Sequence, residues 1–169
     1  ADVSLEDGRS FEAKLVGSDE TTDLAVLKVE ADDLTPAVFG DSDQMVVGDT
    51  VVAIGNPMGE QLRGTMTDGI LSAINRDMEV DGNTMTLLQT TAALNTGNSG
   101  GALVNDQGQV IGITNMKLIS NVSDNTLEGL GFAIPTTTVK PVVDALIADG
   151  VVTGRPTLGV TVRAMYDLE

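Results

Sequence analysis

The apolar positions of this chain alternate far more often than they recur at helical spacing. Residues 1–18, "ADVSLEDGRSFEAKLVGS", hold two alternating runs joined at Asp7-Gly8, a dipeptide suited to the tight turn of a hairpin. In "TTDLAVLKVE" (21–30), Leu24, Val26 and Lys28 fall on one face and Ala25, Leu27 and Val29 on the other. Val51–Ile54 make the next apolar strand, stopped at Gly55-Asn56-Pro57 because proline cannot pair. Residues 64–94 predict two or three more strands, split by a polar loop at Arg76–Asn83. "GALVNDQGQVIGITNMKL" (101–118) reads as a hairpin turning at 106–108, followed by a polar loop at Ile119–Glu128 and the short strand "GLGFAIP" (129–135). One segment alone has helical period: Val139, Val142, Val143, Leu146 and Ile147 form a single stripe. Thr136 to Thr138 offer caps, Pro141 suits the first turn and Gly150 suits the end. The pattern is all-β, a barrel or sandwich with one C-terminal helix.

Composition sharpens this only in places. Aromatic residues are 2% of the chain, so the core must be built from Val, Ile, Leu, Met and Ala. The 19 glycines follow no period, which fits many tight turns rather than a fibre or linker. A formal net charge of −16 speaks against nucleic acid and anionic lipid as partners and fits a solvated, self-repelling surface. With no cysteine and no histidine there is no disulfide framework, and a zinc site would need carboxylates alone; neither a metal nor a cofactor is expected. No apolar run is long enough to span a bilayer.

The stretch "NTGNSGGALVN" (95–105) carries the chemistry. A serine hydroxyl is a poor nucleophile until a base takes its proton, and acyl transfer also needs donors aimed at the oxygen that becomes negative. Gly97 lets its own N–H turn toward the point reached by the N–H of Ser99, and Gly100 and Gly101 leave the approach open. A Gly-rich β-turn with an incidental serine is the plain alternative. A lysine base would need Lys14, Lys28, Lys117 or Lys140 desolvated beside Ser99, which is a minor alternative.

Six stretches together resemble the HtrA/Deg family of trypsin-like serine proteases: "TDLAVLKV", "VVAIGNPMG", "QTTAALNTGNSGGALVN", "GQVIGI", "GFAIP" and "TTTVKPVV". They occur in family order across nearly the whole chain. The resemblance implies a chymotrypsin-like double β-barrel, with the first barrel incomplete here and a C-terminal helix. Residues 1–57 would close the first barrel, 58–135 form the second, 136–150 the helix, and 151–169 a linker toward an absent domain of PDZ type. Ser99 matches the nucleophile; Gly97, Asn98 and Ser99 match the oxyanion hole; Asp23 matches the acid that orients a catalytic histidine. The family's histidine lies upstream of the matched stretches, so this chain by itself is expected to be inactive, and its stretches "DLAVLKV" (23–29) and "DTVVAIG" (49–55) to expose inward faces and an edge open to pairing with a copy or to poor order.

Further expectations follow from the same resemblance. Asn98 stands where digestive enzymes of the wider fold have an acid that pairs with a new N-terminus, so activation by loop ordering is implied. Substrate, an unfolded or extended polypeptide, would add as a strand along Ile113–Leu118, with Thr114, Asn115, Met116 and Lys117 lining the site. The loops at Arg76–Asn83 and Ile119–Glu128 match regulatory loops. Thr91 and Thr96 depart from the family's Asp and Pro, and Thr96 loosens the turn before Gly97. A role in protein quality control and stress response, an extracytoplasmic place on the periplasmic or cell-envelope side with membrane anchoring as an option, and a homo-oligomer of trimer type are implied for the longer protein. A catalytically inactive, chaperone-like peptide-binding module using the same cleft is the alternative function.

Overall fold

A computed structural model describes residues 1–57, 62–80, 83–95, 97–115 and 129–154. Strands β1 (Asp2–Ser4) and β2 (Ser10–Glu12) pair around the Asp7-Gly8 turn, with Gly8 at φ 86° as that turn requires. Strands β3 (Lys14–Asp19) and β4 (Leu24–Lys28) form a second antiparallel pair. The remaining strands are β5 (Thr50–Gly55), β6 (Thr65–Val80), β7 (Asn83–Thr90), β8 (Ala102–Asn105), β9 (Val110–Thr114) and β10 (Gly131–Pro135). These six pair in the ring order β10-β7-β6-β5-β8-β9, and β9 closes back onto β10.

Two strand sequences show why the ring sits where it does. Alternate residues of a strand point to opposite faces, so an unbroken apolar run needs cover on both. On β10, Ala133 joins the core inside the ring while Phe132 and Ile134 join the cluster outside it. On β7, Leu88 lies inside and Leu87 outside in the same way. The outer cluster is capped by the helix α1 (Thr136–Asp149), which brings in Val139, Val142 and Leu146. Leu24 of β4 packs into this same cluster, so the helix holds the β3–β4 pair against the ring.

The helix stops as its sequence directs. Gly150 adopts φ 75° and its N–H bonds the Leu146 carbonyl at 3.0 Å. Its start differs from expectation: residue 135 holds the N-cap position and no side chain caps the helix from within. Ser42 supplies that function from a distance, its Oγ accepting the Thr137 N–H at 3.2 Å. Thr136 Oγ1 instead donates to the Gly40 carbonyl (2.9 Å), which ties the connecting segment to the helix. Pro141 falls past the first turn.

Three other expectations are corrected. β5 pairs with β6 and β8, so Thr50–Gly55 belong to the ring and not to the first barrel, and Val51 and Ala53 are fully buried rather than exposed. The polar stretch from Arg76 is strand, not loop: Arg76 pairs with Leu87, and the ladder runs to Val80 opposite Asn83. Its charges lie on an exposed two-stranded arm, where both faces tolerate them, and Asn75 at φ 51° sits at the irregularity where the arm leaves the ring. The face of β4 bearing Leu24 is covered by the helix, while Leu15 and Leu27 remain exposed. The loop at 119–128 and the tail 155–169 lie outside the described residues.

Candidate active site

Ser99 sits on a tight turn between β7 and β8, with its side chain exposed. The turn is built from main-chain bonds: Asn98 N–H donates to Asn95 O at 2.9 Å and Gly101 N–H to Asn98 O at 3.0 Å. Glycine is required here by contact. A Cβ on residue 97 would lie 2.1 Å from Pro57 Cα, and one on residue 101 would lie 2.2 Å from the Ile54 carbonyl oxygen. The loop is thus pressed against the end of β5 at the Gly55-Asn56-Pro57 stop that terminates that strand.

Strand β9 braces the same loop from the other side. Gly100 N–H donates to the Thr114 carbonyl (2.8 Å) and Thr114 N–H to the Gly101 carbonyl (2.9 Å). The Thr114 hydroxyl donates to the Asn98 carbonyl, with the Gly101 carbonyl 3.2 Å away. Asn98 is 1% exposed; its Nδ2 bonds the Ala93 carbonyl at 3.3 Å, while its Oδ1 has no hydrogen-bond partner among the described residues.

Asp23 reaches this place from the other half of the chain. Its φ of 57° closes the turn that leads into β4. Asp19, buried, fixes that turn by accepting the Thr22 N–H (3.0 Å) and the Thr22 hydroxyl. The Asp23 carboxylate accepts a hydrogen bond from Asn115 Nδ2 at 3.1 Å. Asn115 is 3% exposed and its own N–H donates to the Phe132 carbonyl, so it is a fixed support. Adjacent residues of one strand end, Thr114 and Asn115, therefore hold the serine loop and the carboxylate.

The side chains of Thr114 and Asn115, expected to line a substrate site, are both buried; that of Thr114 bonds the serine loop and that of Asn115 bonds the exposed Asp23. Met116, Lys117 and Thr96 lie outside the described residues. Among the described residues no group of carboxylates is arranged to hold a metal ion. The sequence pattern passed over Asn95, Asp19 and Thr22; an Asx residue two or three positions ahead of a turn was the available signal.

Residues 1–113 match the trypsin-like peptidase domain family. The serine protease Do-like HtrB of Bacillus subtilis is 51% identical over 163 residues, covering 94% of this chain and 34% of the relative. The chain belongs to the HtrA family of trypsin-like serine proteases. HtrA of Lactobacillus helveticus is 48% identical over 168 residues, with 98% of this chain and 40% of the relative covered. Among solved structures, the HtrA-type protease AlgW with a decapeptide matches at a TM-score of 0.78 and 44% identity, covering 89% of this chain and 45% of that one. This HtrA-family chain spans between a third and two-fifths of the length of these two curated relatives.

Proposed function

We propose that these residues are the nucleophile-bearing part of a serine endopeptidase that cuts extended polypeptide, with Ser99 as nucleophile, Asp23 as the orienting acid, and the N–H groups of Gly97 and Ser99, supported by Asn98, as the oxyanion hole. The observation that carries it is the Asn115–Asp23 hydrogen bond, because Asn115 follows directly on the residue that braces the Ser99 loop. The chain has no histidine, so the mechanism requires an imidazole from outside these 169 residues, placed between Asp23 and Ser99. That imidazole takes the Ser99 proton as Oγ attacks the peptide carbonyl; the proton passes to the departing amine as the C–N bond breaks, and water then releases the acyl group from Ser99. The peptide bound to AlgW and relatives named as probable periplasmic endoproteases, such as the DegP-like protein of Rickettsia prowazekii, support an extracytoplasmic enzyme acting on polypeptide.

The test is covalent labelling by a fluorophosphonate in a protein that carries these residues together with the histidine. Ser99 should label, Ser99→Ala should abolish labelling, and Asp23→Ala should lower kcat by roughly four orders of magnitude. The 169 residues alone should not label. Labelling of the bare chain would point to a lysine base. A second reading, a peptide-binding module without catalysis, is favoured by the absence of histidine; it predicts peptide binding with no labelling in either form.

A further inference from the structure

The N–H of Gly97 is a principal donor in the acyl-transfer chemistry proposed above, and it is already engaged: it donates to Asn95 Oδ1 at 3.2 Å. Asn95 also accepts the Asn98 N–H on its main-chain carbonyl, so one residue holds two donors of the serine turn. Its side chain is exposed and can swing away without disturbing the core. Asn98 tells the same story from inside. Its Nδ2 bonds the Ala93 carbonyl, and its Oδ1 is buried without a partner among the described residues. A buried acceptor left without a donor costs free energy.

We propose that Asn95 is a positioning residue that holds the serine turn at rest, its side-chain carbonyl competing with the substrate oxygen for the Gly97 N–H. This rests on the assignment of Gly97 to the oxyanion hole. A neutral amide oxygen loses that competition as the substrate oxygen gains charge, because hydrogen bonds to an ionised acceptor are roughly twice as strong. Asn95 therefore slows acylation and leaves ground-state peptide binding alone.

The experiment compares the rate of Ser99 acylation by a fluorophosphonate, and KM and kcat for a peptide substrate, in the histidine-containing protein and its variants. Asn95→Ala removes the competing acceptor and should speed acylation about fivefold with KM unchanged. Asn95→Gly should match it. Asn95→Asp keeps an acceptor and sets a negative charge beside the developing oxyanion, so it should slow acylation about tenfold. A merely structural role would slow all three. Acylation equal to or slower than the unsubstituted rate in Asn95→Ala and Asn95→Gly, with Ser99 still labelling, overturns the proposal. No labelling of Ser99 in the unsubstituted protein overturns the hydrolase assignment, and this proposal with it.

Discussion

Asn115 shows how one side chain links two distant parts of the sequence. It sits among main-chain atoms of β9 and β10, 3% exposed, and places its amide hydrogen on a carboxylate 92 positions earlier in the chain. A hydrogen bond to a charged group is worth about 1.5–3 kcal/mol, so Asn115→Ala should reduce kcat roughly tenfold to a hundredfold. KM should change little if Asp23 has the role proposed above, since the amide then touches that carboxylate and not the peptide. Steady-state kinetics on the histidine-containing protein check this split; a rise in KM at constant kcat would place Asn115 against substrate instead.

At the scale of elements, the β3–β4 pair and α1 meet at a glycine. A Cβ on Gly17 would stand 2.4 Å from the carbonyl oxygen of Gly150, the residue that ends the helix. Backbone cannot yield there as a flexible side chain would. Gly17→Ala should cost about 1–3 kcal/mol by overpacking. It should also raise amide exchange at the C-terminal turn of α1 before it does so in the ring. A thermal midpoint unchanged from the parent would contradict this contact. The same elements show where local pattern is a sound guide. The Asp7-Gly8 and 106–108 turns and the helix follow from residue choice over a few positions and are found in place, with Val139, Val142 and Leu146 of the apolar stripe buried and Ile147 exposed. Arg76–Asn83 is different, since a polar composition suits a loop and an exposed arm equally well, and only pairing between β6 and β7 separates them.

For the molecule as a whole, the outer hydrophobic cluster joins the half that carries Asp23 to the half that carries Ser99. Leu146, with no exposed surface, packs there with Leu24, Leu87 and Ile134. Leu146→Ala should destabilise by about 2–5 kcal/mol, the usual cost of a cavity left by a large core side chain. Hydrogen exchange should show β3 and β4 loosening while the ring, with its separate inner core, stays protected. Uniform loss of protection would mean that the two clusters unfold as one.

Alternation of apolar residues, one helical stripe and a Gly-Asn-Ser-Gly-Gly turn were legible from the chain alone, since backbone geometry fixes such periods over a few residues. Tertiary structure decided the partners. β5 joined the ring because burying Val51 and Ala53 required β6 and β8, the latter contributed from some fifty residues later. It likewise buried the side chains of Thr114 and Asn115 and set the Asn115 amide on Asp23, 92 positions earlier. These outcomes depend on which atoms the folded chain brings within 3.5 Å, and no short-range pattern encodes that distance.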